Sequence, residues 1–137
     1  MIQHIRQTEI ILYVSSQERS KEFYEKILRT KAVLHLPGMT EFAISPGCKL
    51  GLMPESGIGK ILSPKMPHPS SGSGIPRCEL YFRVDDIKLE YENALANGAI
   101  LISPVTDMDW GDTVCYFADP DGHIIAFAEK TIVGEKQ

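Results

Sequence analysis

Glu9-Ile10-Ile11-Leu12-Tyr13-Val14 and, 70 residues further on, Glu79-Leu80-Tyr81-Phe82-Arg83-Val84 are the two stretches that decide the fold of this chain. Each is a short run of β-branched, aromatic and aliphatic residues led by a glutamate, and each reads as a strand. Each also runs into a helix start signal, Ser16 after the first and Asp85 or Asp86 after the second. The first helix is predicted to reach about Leu28 on an apolar stripe of Phe23, Tyr24, Ile27 and Leu28. The second carries Ile87, Leu89, Tyr91, Ala94 and Leu95 and stops at Asn97-Gly98, a left-handed cap signal. Three strand-like segments then follow each helix, near 32–36, 39–45 and 49–53 in the first copy and near 100–103, 113–117 and 123–128 in the second. The order βαβββ therefore occurs twice.

This repetition predicts an α+β fold of two tandem βαβββ modules, about 8–53 and 78–129, within a single domain spanning 1–137. Between them, 54–77 holds five of the nine prolines together with Pro69-Ser70-Ser71-Gly72-Ser73-Gly74, so a connector with little regular structure is expected, either a lid or a plain linker. Residues 130–137 read as a short tail that closes the last strand or dangles.

Composition narrows the function classes. An apolar fraction of 43% and a charged fraction of 23% are those of a soluble globular protein. No run approaches the roughly 20 apolar residues of a membrane span. The first residues lack a signal peptide's apolar core, which makes a cytoplasmic location the expectation. A net charge of -4 with dispersed lysines argues against nucleic acid as a partner. Cys48, Cys78 and Cys115 lie in strand-like surroundings and are expected as buried free thiols. No nucleophile elbow or phosphate-binding loop is present.

Strand parity separates the residues of each lead strand. Ile10, Leu12 and Val14, like Leu80, Phe82 and Val84, make apolar faces suited to a helix. Glu9, Tyr13, Glu79, Tyr81 and Arg83 are left on the opposite faces. Equivalent inward-facing residues of a duplicated unit converge on a shared site, and two carboxylates brought close raise one another's pKa unless a cation intervenes. Arg83 is the expected counter-charge for Glu79, with Lys49 as the other cation that pairs with a glutamate. The lone Trp110, in Met108-Asp109-Trp110-Gly111-Asp112, is either a ligand wall or a packing anchor, and with Tyr13, Met53 and Tyr81 it makes an aromatic box. Tyr116 is assigned to the core of its strand. His4, His35, His68 and His123 form no ligand cluster and read as surface, turn or packing residues.

Tyr13-Val14-Ser15-Ser16-Gln17-Glu18-Arg19-Ser20-Lys21-Glu22-Phe23-Tyr24 and Cys115-Tyr116-Phe117-Ala118-Asp119-Pro120-Asp121-Gly122-His123 resemble the signature stretches of the glyoxalase, bleomycin-resistance and extradiol-dioxygenase superfamily, also called vicinal oxygen chelate. The resemblance runs over about 8–129. It implies a cupped, mixed eight-stranded sheet around a cavity with the helices outside, usually in a homodimer. It also implies four metal-ligand positions, which fall here at Glu9, Gly51, Glu79 and Ala126. Gly51 and Ala126 have no ligating side chain, and two carboxylates fall short of a catalytic metal site. No residue is therefore assigned as a metal ligand and no cofactor is expected, with a divalent metal on the carboxylates kept as the alternative.

Two function classes stay open. One is a metal-free binding protein that holds a small cationic or aromatic molecule among Glu9, Tyr13, Met53, Glu79, Tyr81, Arg83 and Trp110. The other is an enzyme of the lyase or isomerase type, or a dioxygenase-like one, using an unorthodox carboxylate metal site or Glu79 or Glu9 as a general base.

Overall fold

The computed structural model describes residues 2–131; of the tail expected at 130–137, Lys130 ends the last strand and the residues after Thr131 lie outside those described. Contacts divide the chain into two compact units between Ser73 and Gly74.

The first unit runs β1 (Thr8–Val14), α1 (Gln17–Ile27), β2 (Leu34–Leu36), β3 (Met39–Ser45), β4 (Cys48–Pro54) and α2 (Glu55–Leu62), then a 3-10 turn at Pro69–Gly72. Its sheet has the order β1-β4-β3-β2, with β1 parallel to β4 and the other pairs antiparallel. Ser16 caps α1 by accepting from Arg19 N at 3.2 Å. The helix then lays Phe23, Tyr24 and Ile27 on one face of β3 and β4. Leu12, Val14, Phe42, Leu50 and Leu52 complete this core, each 4% exposed or less. Tyr24 and Phe23 meet edge to face at 5.1 Å, and Tyr24 reaches Phe42 at 6.4 Å.

The second unit repeats the plan with β5 (Glu79–Arg83), α3 (Ile87–Ala96), β6 (Ile100–Asp107), β7 (Asp112–Ala118) and β8 (Ile124–Lys130). The sheet order is β5-β8-β7-β6, again with one parallel pair, β5 with β8. Asp86 rather than Asp85 is the cap, accepting from Leu89 N at 3.2 Å. Gly98, at φ 87°, ends the helix in the left-handed region that the Asn-Gly pair announces. α3 buries Ile87 and Ala94 against Leu80, Phe117, Ile125 and Phe127, with Tyr91 stacked on Phe117 at 5.6 Å. Leu89 and Leu95, expected in that stripe, are exposed instead, because the packed face of α3 is the one carrying Ile87, Glu90 and Ala94. The α+β class and the twofold βαβββ order hold, with the eight strands bonded as two mixed four-stranded sheets.

The connector departs from expectation. Much of 54–73 is ordered and packs with the first unit: α2 buries Ile58 and contacts β1 and β4. Gly57 and Gly59 disguise this helix, since each glycine costs about 1 kcal/mol in a helix interior. Gly59 has a packing role, because a Cβ there would stand 2.6 Å from Cδ2 of His68. His68 in turn accepts from Ser70 N at 3.1 Å and caps the 3-10 turn. It is a packing residue on an ordered segment rather than part of a loose loop. The thiols also differ among themselves: Cys115 is buried as expected, whereas Cys48 is half-buried and Cys78 exposed. Burial pushes the Cys115 thiol up to about 11, so it is inert near neutral pH. Among the described residues no helix is long and apolar enough to cross a membrane.

Substituting Asp86→Ala is expected to cost about 1 kcal/mol through loss of the cap. Phe117→Ala, which empties a fully buried site touching Tyr91 and Phe127, should cost about 3–5 kcal/mol. Urea unfolding of the two variants checks both values, and equal losses would contradict this account of the core.

Candidate functional site

With one face of each sheet closed by its helix, the side chains of chemical interest lie on the other faces. On the first sheet β1 presents Glu9, Ile11 and Tyr13, paired in register with Lys49, Gly51 and Met53 of β4. Glu41 of β3 stands opposite Gly51. A Cβ on Gly51 would lie 2.5 Å from Oε2 of Glu9, so the missing side chain is what makes room for that carboxyl. Oε2 is buried, with no donor directed at it among the described residues.

Lys49, the expected counter-charge, bonds Glu41 instead, at 3.3 Å between Nζ and Oε1. A hydrogen bond between the Glu9 and Glu41 carboxyls needs a proton on one of them. Burial first, and then Glu41, raises the Glu9 pKa above its ordinary 4.5, opposed by a smaller pull from Lys49. Sequence reading omitted Glu41. The alternation of Met39-Thr40-Glu41-Phe42 was the available signal, because Thr40 and Phe42 are fully buried and Glu41 must face the other way.

On the second sheet β5 presents Glu79, Tyr81 and Arg83. Across from them β8 has only small side chains, Ala126 beside Tyr81 and Ala128 beside Arg83. Beyond those lie Tyr116 and Val114 of β7, and Asp112 at the start of β7, opposite Lys130. The alanines leave the long side chains of β5 free to reach over β8 to β7. Tyr81 OH donates to Asp112 Oδ2 at 2.5 Å, and Arg83 Nη2 donates to the same oxygen at 2.6 Å. Trp110, 59% exposed in the turn before β7, donates from Nε1 to Tyr81 OH at 2.9 Å. Asp112 is 3% exposed, whereas the Arg83 side chain is 63% exposed.

The pairing of Arg83 with Glu79 is thereby corrected. Four residues of strand separate the two, about 13 Å of rise, while Asp112 lies just across the alanines. The Tyr81 hydroxyl and the Arg83 guanidinium hold the Asp112 carboxyl below its ordinary 3.8. Burial and the Asp112 bond raise the Tyr81 phenol above 10.0, which makes it a donor and not a base. Glu79 is exposed and its charge, after burial, raises the Tyr116 phenol. Tyr116 packs, with Met108, on Val114, Ala126 and Ala128.

These surroundings decide the metal question at the four positions the resemblance implies. Ala126 is fully buried among hydrocarbon, and the place of a side chain at Gly51 is taken by the Glu9 carboxyl. The donor set does not fit the family's four-ligand metal, and no chemical step is derived through one. Asp119, Asp121 and His123 bring potential ligand atoms within 4.8 Å of one another. Asp119 spends its oxygens on the turn, however, accepting from Asp121 N at 2.9 Å and His123 N at 2.8 Å and meeting His123 Nδ1 at 2.8 Å. His35 also has a local role, touching Thr40 Oγ1 at 2.8 Å and Glu18 Oε2 at 3.1 Å.

Glu9 and Asp112 carry opposite pH signatures. A raised folded-state pKa means that ionising Glu9 opposes folding as pH rises above 4.5. Glu9→Gln is therefore expected to be neutral near about pH 4 and stabilising at about pH 7. A lowered folded-state pKa means that Asp112 stabilises above 3.8 and that this support fades as pH falls through its folded value. Asp112→Asn should thus destabilise at neutral pH, with a deficit that shrinks in acid. Urea midpoints across this range test both signs, and pH-independent offsets would contradict them.

Comparison with known proteins gives the geometry a context. Residues 7–131 match the family model of the glyoxalase-like domain. Uncharacterised proteins of Mycobacterium bovis and Mycobacterium tuberculosis are each 25% identical over 115 residues, covering 82% of this chain and 75% and 67% of theirs. Among solved structures, a glyoxalase/bleomycin resistance protein/dioxygenase from Nocardioides superposes with a TM-score of 0.76 at 23% identity, over 98% of this chain and 89% of that one. A glyoxalase-related enzyme from Fulvimarina pelagi gives 0.75 at 22% identity, over 89% and 86%. The chain belongs to the glyoxalase-like domain family.

Proposed function

We propose that this chain is a small-molecule-binding member of its family that works without a metal, and that the molecule is aromatic. The observation that carries the reading is the chain of hydrogen bonds from Trp110 through Tyr81 to Asp112 and Arg83. It locks an exposed indole and a phenol to a buried carboxylate, and aromatic surface fixed in this way is preorganised for a flat ligand. Structural packing alone would bury Trp110, whereas it is 59% exposed. Glu79 lies on the same face of β5 as Tyr81 and Arg83, and Glu9, Tyr13 and Met53 make the corresponding face of the first unit. A cationic ligand is the weaker form of the reading, since the exposed Arg83 guanidinium lies beside the Trp110–Tyr81 pair. Homodimerisation, by family resemblance, and a cytoplasmic setting belong to the same proposal.

A second reading, an enzyme using Glu9 as general acid or base, is favoured by one feature: a buried carboxyl oxygen with no donor, on a group whose pKa is raised. Glu79, which is exposed, is the weaker candidate for that role.

Calorimetric titration with the neutral probe 2-naphthalenemethanol separates these readings. Saturable binding without turnover is expected, weakened about five- to tenfold in Trp110→Ala by the loss of ring stacking. Binding unaffected by that substitution would overturn the placement of the ligand. Chemical conversion of bound ligands that is lost in Glu9→Gln would favour the enzyme.

A further inference from the structure

The hydrogen bonds on the second sheet constrain the ligand beyond its being aromatic. Arg83 has five N–H donors. Asp112 takes a bond from Nη2, and the Tyr81 hydroxyl also meets the guanidinium, which leaves N–H donors over among the described residues. The side chain is 63% exposed, so the guanidinium is open to solvent next to Tyr81, which Trp110 holds by its Nε1 bond. The charge around it is also unbalanced. Lys130, opposite Asp112 and exposed, acts on the same carboxylate, so two cations flank one buried anion. Glu79, the other carboxylate on the open face of β5, stands four residues from Arg83 with Tyr81 between them. Asp109, in the turn that holds Trp110, makes no ion pair with Arg83 or Lys130.

The geometry points to a planar aromatic ligand bearing an oxyanion, its ring against Trp110 and Tyr81 and its carboxylate or similar group on the outward edge of Arg83. This rests on the aromatic-binding reading above and gives the ligand its charge. A guanidinium edge presents two parallel donors that match a carboxylate, and an ionic hydrogen bond is stronger than a neutral one. Asp112 acts as the positioning residue: it draws Arg83 and Tyr81 to one oxygen and so turns the unused edge of the guanidinium outward. The cost of ordering a long, flexible side chain is met in the unliganded fold, before any ligand arrives.

Three probes that share one ring system and differ in charge test this: 2-naphthoate, 2-naphthalenemethanol and 2-naphthylmethylamine, titrated calorimetrically into the full chain at fixed salt. The expected order is naphthoate tightest by about tenfold over the alcohol, as for a partly exposed charged hydrogen bond, with the amine weakest. Arg83→Gln should weaken naphthoate about tenfold more than it weakens the alcohol, removing the preference between the two, and Arg83→Lys should restore part of it. Asp112→Asn should reduce naphthoate binding more than alcohol binding. An amine that equals or exceeds naphthoate in the unsubstituted protein overturns the inference while leaving the aromatic site standing. So does an Arg83→Gln protein, folded by circular dichroism, that keeps its preference for naphthoate. Failure of all three probes to bind overturns the aromatic reading itself.

Discussion

Burial of one face of each sheet beneath a single helix is the constraint on which everything else here depends. A strand offers alternate residues to opposite sides, so committing Leu12 and Val14 to α1 also commits Glu9, Ile11 and Tyr13 to the other side. The same commitment of Leu80 and Phe82 delivers Glu79, Tyr81 and Arg83 together. Helix and polar face are thus one decision, made twice by the two repeats. A slip of one residue in either lead strand would put glutamate into hydrocarbon, and this fixes the register firmly.

Within that frame the identity of the small residues decides who can touch whom. Gly51 leaves a gap that the Glu9 carboxyl enters. Ala126 and Ala128 lower the middle of the second sheet, so that two side chains of β5 cross β8 to meet Asp112 on β7. A larger side chain at Ala128 would stand in the path of Arg83. In both modules the position at which the family places a late-strand metal ligand holds a residue with little or no side chain. In both, a carboxylate from another strand, Glu41 or Asp112, has become the polar neighbour. The loss of the ligands and the new hydrogen bonding are therefore linked by volume.

The order of elements along the chain, the helix caps and the face carrying Glu9, Tyr13, Tyr81 and Arg83 were legible in the sequence because they follow from local periodicity and short-range capping. Ser16, Asp86 and Asn97-Gly98 act within four residues of themselves. The pairing of Arg83 was not legible, because it depends on which strand lies next to β5 and on what stands between β5 and β7. Glu41 was missed for the same reason: its importance comes from facing Gly51 across a hairpin. α2 was missed through composition, since its two glycines read as breakers although one of them exists to admit the His68 ring.

The two modules, built on one plan, have put their carboxylates in opposite electrostatic states. Asp112 is nearly inaccessible yet stays ionised, because Tyr81 and Arg83 both donate to it. Glu9 is less deeply placed yet its pKa is raised, first by burial of its carboxyl and then by Glu41, to which Lys49 is committed. Burial alone would rank them the other way. Burial raises both groups, and the donors that reach Asp112 but not Glu9 separate them.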